Sequence, residues 1–288
     1  MRNVRCGLLT FFCFCAPAFA IPHTVVETVQ MPAWLDRAGL SQPLAVGMEV
    51  KNGDRVRTGK GARAYLKLAE GSTVKLGEDA ALGFYSLSLN PDRAFKGALD
   101  VLTGAFRFTT DALRRTPGSR DLSIRVGTAT AGIRGTDLWG KSEAQRDLIL
   151  LIEGKIVVRH AGETAEMEQP LTVFVAPKNA APLPVATVAA EQFRVWARET
   201  EVLAGDGATR RGGQWKVLLA SAGSEKEALL AYDKARAAGY AAQIRPRAAG
   251  EKQWRYEVLL AQLPSEQEAL VVAKKVGAEL GFEAAPTR

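Results

Sequence analysis

Arg63-Ala64-Tyr65-Leu66-Lys67-Leu68-Ala69-Glu70-Gly71-Ser72-Thr73-Val74-Lys75-Leu76 reads as two short strands and a turn. Ala64, Leu66 and Leu68 alternate with larger polar neighbours, which puts them on one face of an extended chain; Ser72 to Leu76 alternates in the same way. Glu70-Gly71 is a tight-turn signal, so the stretch predicts an antiparallel hairpin with one face turned to a core. Similar short runs follow at Leu99 to Leu102, Ala105 to Thr109, Leu122 to Val126, Leu148 to Ile152 and Lys155 to Arg159, with Glu153-Gly154 as a second hairpin turn. Many short strands punctuated by glycine predict a roll, sandwich or coiled β architecture and argue against an α/β enzyme fold.

The period changes downstream. Ala189, Phe193, Trp196, Thr200 and Leu203 fall at spacings of four and three, the mark of one side of an amphipathic helix, assigned to residues 186–204. Gly205-Asp206-Gly207-Ala208-Thr209-Arg210-Arg211-Gly212-Gly213 is polar and glycine-rich and reads as a flexible linker at a domain boundary.

Residues 214–288 contain an internal repeat. Val217-Leu218-Leu219-Ala220 followed by Ser224-Glu225-Lys226-Glu227-Ala228-Leu229 recurs as Val258-Leu259-Leu260-Ala261 followed by Ser265-Glu266-Gln267-Glu268-Ala269-Leu270. Each copy is a strand and then a helix opened by a capping box, in which serine takes a backbone N–H and the glutamate three residues on reaches back. Gly239 and Gly281 stand where helix C-caps are expected, and Tyr240 and Phe282 lead into further strands. The order β-α-β-β-α-β is the ferredoxin-like plan. The fold class expected is therefore α+β with two domains, a mainly-β roll or sandwich over 21–185 and a ferredoxin-like βαββαβ domain over 214–288.

The first twenty residues are read apart from the fold. Arg2 and Arg5, an apolar run around Leu8 to Phe14, and Ala18-Phe19-Ala20 form a secretory signal, with cleavage expected after Ala20. The apolar run is about a dozen residues, short of the roughly 20 that span a bilayer. Export to the periplasm is expected, with no stable membrane insertion after cleavage. Cys6, Cys13 and Cys15 all lie in the signal, which leaves the mature chain without disulfide or thiolate chemistry. The net charge of +7 falls to +5 without Arg2 and Arg5. That mild excess does not select a partner, and no nucleic-acid partner is expected.

Two resemblances rest on these residues. Gly53-Asp54-Arg55-Val56-Arg57-Thr58-Gly59, Gly71-Ser72-Thr73-Val74, Arg134-Gly135-Thr136-Asp137 and Ile152-Glu153-Gly154-Lys155-Ile156-Val157-Val158 resemble the FecR domain, best over 45–160. FecR proteins best known for relaying an iron-uptake signal to a sigma factor carry a cytoplasmic portion and a membrane span, which this sequence does not show. WKVLLASAGSEKEA and YEVLLAQLPSEQEA, with Gly239-Tyr240, resemble the SPOR domain. That resemblance implies binding of peptidoglycan glycan strands stripped of stem peptides, often at division septa, and a non-enzymatic adaptor in the cell envelope.

On such a sheet the residues facing away from the helices are the candidates for a glycan. They are Lys216, Gln243, Arg245, Trp254, Arg255 and Gln262. SPOR domains typically carry glutamine at the position of Leu218 and arginine on the third strand. Here Leu218, Ala220, Leu259 and Ala261 make the centre of the face apolar, so Leu218 and Leu259 are candidates for contact with an envelope protein instead. Trp215 and Trp254 lead the repeats and are read as packing residues before sugar platforms. Arg134 is read as structural. No catalytic residue, metal site or cofactor is assigned. His23 and His160 are far apart, Pro22 lacks the N–H that an amino-terminal copper site requires, and no zinc-protease, serine-hydrolase, phosphate-loop or calcium-loop spacing occurs. Adjacent carboxylates such as Glu78 and Asp79 point to opposite faces of a strand.

Overall fold

The structure is a computed structural model that describes residues 24–89, 95–110, 120–133, 135–250 and 253–288. The signal assigned to 1–20 and Arg134 lie outside the described residues.

Seventeen strands come first: β1 (Thr24–Gln30), β2 (Ala33–Arg37), β3 (Leu40–Pro43), β4 (Glu49–Val50), β5 (Arg55–Thr58), β6 (Arg63–Lys67), β7 (Thr73–Leu76), β8 (Ala81–Leu89), β9 (Phe95–Thr109), β10 (Arg120–Val126), β11 (Ala129–Ile133), β12 (Asp137–Ser142), β13 (Arg146–Glu153), β14 (Ile156–His160), β15 (Glu163–Met167), β16 (Thr172–Pro177) and β17 (Ala186–Thr187). Helix α1 (Ala190–Arg198) and strand β18 (Ala208–Arg210) follow. The chain ends in β19 (Trp215–Ala222), α2 (Glu225–Ala237), β20 (Gln243–Gly250), β21 (Gln253–Leu263), α3 (Glu266–Leu280) and β22 (Ala285–Thr287).

The predicted hairpin is present as β6 and β7, Ala64 opposite Leu76 and Leu66 opposite Val74, all four buried. From it one sheet extends through β1 on one side and through β9, β12, β13, β16 and β17 on the other. A second sheet runs β3, β2, β5, β8, β9, β10, β11, β14, β15. Strand β9 belongs to both, and it turns from one to the other at Gly104. There φ is +77° and a Cβ would lie 2.5 Å from the Ala80 backbone, so only glycine fits the corner. Leu66, Val74, Phe84, Phe106, Phe108, Ile124, Leu138 and Ile149 fill the space between the sheets. Each such buried side chain contributes about 1.5–3 kcal/mol of transfer free energy.

The chain departs from the expected two-domain α+β class. Twenty-two strands and three helices among the described residues make the chain mainly β, and an independent ferredoxin-like βαββαβ domain is not evident. The four-stranded sheet β20-β21-β19-β22 and its helices share one continuous core with the β body, running from Val26 and Leu35 through to Val258 and Val276. The body also holds the flanks of both helices. Ala33 N–H donates to the Gly239 carbonyl, Lys275 Nζ donates to the Met31 carbonyl at 2.8 Å, and a Cβ on Gly239 would sit 2.6 Å from the Trp34 ring.

The stretch expected as a flexible linker is instead bonded to the body. Strand β18 pairs with β1, Thr28 opposite Arg210 and Gln30 opposite Ala208, and Ala208 and Thr209 are buried. Helix α1 is shorter than the periodicity predicts. Its Phe193 and Trp196 pack on the outer face of the first sheet, where the Trp196 and Trp139 rings stack with centroids 5.1 Å apart.

Candidate ligand-facing sheet

Register decides which side chains of the C-terminal sheet share a face, because residues directly opposite each other in a ladder point the same way. Gln243 lies opposite Leu259, Leu259 opposite Leu218, and Leu218 opposite Ala285. The next row is Arg245, Glu257 and Ser221, and beyond it Arg247 faces Arg255. Lys216 opposite Thr287 closes the other end. This face points away from α2 and α3, which cover Val217, Leu219, Val258 and Leu260.

Four of the six predicted glycan residues, Lys216, Gln243, Arg245 and Arg255, therefore gather on one face. Trp254 does not join them: it alternates with Arg255 onto the helix side of β21 and is 55% exposed at the sheet's edge. Gln262 sits in a bulge with φ +66° near the end of β21, beside Met31, Ala45 and Thr209 of the body. Arg247, Glu257 and Ser221 complete the face; alternation along the strand already turns Glu257 outward, whereas Arg247 and Ser221 were missed by sequence reasoning. Arg247 was legible, two residues beyond Arg245 on the same strand, whereas Ser221 reaches the face only through a bulge between Leu218 and Ala220.

That bulge also turns Ala220 toward the helices, where it packs against the core. Leu259 is 1% exposed beneath its neighbours, and Leu218 is half-buried. The solvent-facing part of the surface is thus polar: Gln243, Arg245, Arg247, Arg255 and Ser221 are exposed. Arg247 Nε donates to Glu257 at 2.6 Å, while Arg245 and Arg255 have no ion pair among the described residues.

A second charged cluster lies on the outer face of the first sheet and anchors the segment after α1. Glu201 accepts from Lys75 at 2.7 Å, Tyr65 at 3.1 Å and Arg107 at 3.2 Å, and Arg107 also pairs with Asp137 at 2.8 Å. Burial raises the Glu201 pKa, but its hydrogen bonds and the Lys75 and Arg107 charges outweigh this and hold it below the ordinary value. Burial pushes the Tyr65 hydroxyl up to about 12, and it accepts the Val202 N–H at 2.5 Å. Every charge in this cluster is matched by a partner inside the fold, which makes it a clamp on the connector.

The FecR-like motif residues serve the body in the same way. Asp54 accepts from Arg37 at 2.8 and 2.6 Å and from the Lys51 N–H at 2.7 Å. Thr58 donates to the Gly77 carbonyl at 2.6 Å. No group of three or more His, Cys, Asp or Glu side chains that could hold a metal ion occurs among the described residues. No helix among them is long and apolar enough to cross a membrane.

These features define a strand-built protein whose C-terminal sheet presents exposed polar side chains. Residues 54–157, the central strands of the body, match the family model described as FecR protein, so the chain carries a FecR-like segment. A comparison with curated proteins returned no match. Among solved structures the chain is similar to two crystal structures, each described as that of a putative anti-sigma factor from Parabacteroides distasonis ATCC 8503. One, at 1.65 Å, has 16% identity, a TM-score of 0.41 and coverage of 50% of this chain, and the chain spans 64% of its length. The other, at 2.50 Å, has 15% identity, a TM-score of 0.41 and coverage of 79% of this chain and 91% of its own.

Proposed function

We propose that this chain is a non-enzymatic adaptor of the bacterial envelope. In this reading its FecR-like body senses or scaffolds a protein partner, and residues 214–288, a SPOR-like unit, bind peptidoglycan glycan strands stripped of their stem peptides. The observation that carries the reading is the open face of the C-terminal sheet, where Lys216, Gln243, Arg245 and Arg255 stand together with two guanidinium groups unpaired among the described residues. A stripped strand offers hydroxyls, acetamido groups and the carboxylate left on each lactyl ether. Arginine forks and an amide suit that set, since a guanidinium gives a carboxylate two parallel hydrogen bonds. A role at division septa follows only if such strands are the ligand.

A protein partner docking on Leu218 and Leu259 is the rival reading. It finds little apolar area, because Leu259 is 1% exposed. Co-sedimentation of the mature chain with sacculi, before and after amidase treatment, separates the two. The adaptor reading expects retention on treated sacculi and at least a tenfold loss in the Arg245→Glu, Arg255→Glu double variant. Retention that ignores both the treatment and the double substitution overturns it, as does no retention at all.

A further inference from the structure

The seam between the β body and α2 forms a groove of about 470 Å³. One wall is Pro43 and Met48 from the body; the other is Leu229 and Tyr232 of α2 with Ile244 of β20. Met48 is held in place by the Ala45 N–H, which donates to its sulfur at 3.3 Å. A thioether and branched aliphatic groups adapt to apolar ligands of varied outline. In this apolar wall stands one cation, Arg236. Its guanidinium lies over the Tyr232 ring, 5.1 Å from the centroid. Stacking on a ring face fixes the guanidinium plane without consuming its N–H donors. It is half-buried, and no carboxylate pairs with it among the described residues.

A preset, unpaired guanidinium at the side of an apolar groove is complementary to a molecule with an apolar body and a single carboxylate. Ligand sites have this composition, mostly apolar walls with one or two polar groups that fix orientation. We propose that the seam groove binds a small amphipathic monocarboxylate, its alkyl or aryl body against Met48, Leu229 and Ile244 and its carboxylate on Arg236. The site needs both parts of the chain, so its occupancy reports on their docking.

Gln243 lines this groove and also stands on the glycan face, but the proposal rests on Arg236, which is not among the residues of that face. The probe is octanoate, below its micellar concentration, titrated into the mature chain and followed by calorimetry and by 1H–15N NMR. One saturable site is expected, with shifts centred on Arg236 and Tyr232, and with at least tenfold weaker binding for Arg236→Gln and for neutral octanol. Arg236→Lys, which keeps the charge but not the fork, should fall between. A circular-dichroism melting curve for each variant establishes that it is folded. Absence of saturable binding, or equal affinity of octanoate for the wild type and a folded Arg236→Gln, overturns the proposal. Equal affinity for octanol does so too, because the groove would then be a merely apolar surface. A protein that binds octanoate yet ignores treated sacculi leaves this site standing and removes the adaptor reading alone.

Discussion

Asp54 is a buried carboxylate whose partners couple the stability of the body to pH. Burial pushes its pKa up, and the hydrogen bonds from Arg37 and from the Lys51 backbone more than reverse this, leaving it below the ordinary 3.8. Asp36 is held down chiefly by its hydrogen bond from Arg57. A carboxyl whose folded pKa is depressed contributes stability that is fully present above about pH 4 and lost as pH falls through the folded value. Asp54→Asn is expected to cost about 1.5–3 kcal/mol near neutrality, the worth of hydrogen bonds to a charged group. The variant should also lose stability less steeply than the wild type below about pH 4. Urea unfolding at stepped pH checks both, and parallel acid slopes would show that Asp54 is not a source of the acid sensitivity. Asp54 itself was legible in the Gly53-Asp54-Arg55 motif. Its partner Arg37 was not, because a separation of 17 residues carries no local signal.

At the scale of elements, periodicity located the helices and tertiary contacts set their ends. The helical spacing from Ala189 to Leu203 continues past the observed end of α1 at Arg198. The chain departs from it where Glu201 is held by Lys75, Tyr65 and Arg107. Helix α1 has no buried residue of its own, so its attachment depends on Phe193 and on the Trp196 ring stacked on Trp139. Trp196→Ala should cost about 3 kcal/mol or less, the lower end for removing a large core aromatic because the ring is only half-buried. It should also speed amide exchange over 190–204 while leaving β12 and β13 protected. Hydrogen–deuterium exchange distinguishes this from global loosening, and unchanged exchange in α1 would mean the stack does not hold the helix. The capping boxes divide in the same manner. Ser224 and Ser265 accept from Glu227 and Glu268 N–H at 3.3 and 3.2 Å as the motif predicts, but the Glu268 carboxylate turns outward to the body.

For the whole molecule that carboxylate is a latch. Glu268 accepts the backbone N–H groups of Gly205, Gly207 and Ala208, tying α3 to the segment that pairs with β1. Glu268→Ala leaves three amides without their acceptor. We expect a lower melting temperature and new protease cleavage within 203–212, read by mass spectrometry; a variant as resistant as the wild type would show that the shared core alone holds the two parts. From sequence alone came the predominance of short strands, the β6–β7 hairpin, the repeat, the serine caps and most of the charged row, since alternation and capping are local properties of a few neighbouring residues. Tertiary structure alone decided that Ala208–Arg210 within the glycine-rich stretch pair as a strand, that Ala220 faces inward and Ser221 outward, and that the C-terminal sheet is fused to the body through one core. Those outcomes depend on a bulge, on backbone amides meeting a distant carboxylate, and on apolar surfaces that close only against each other, none of which leaves a mark in local sequence.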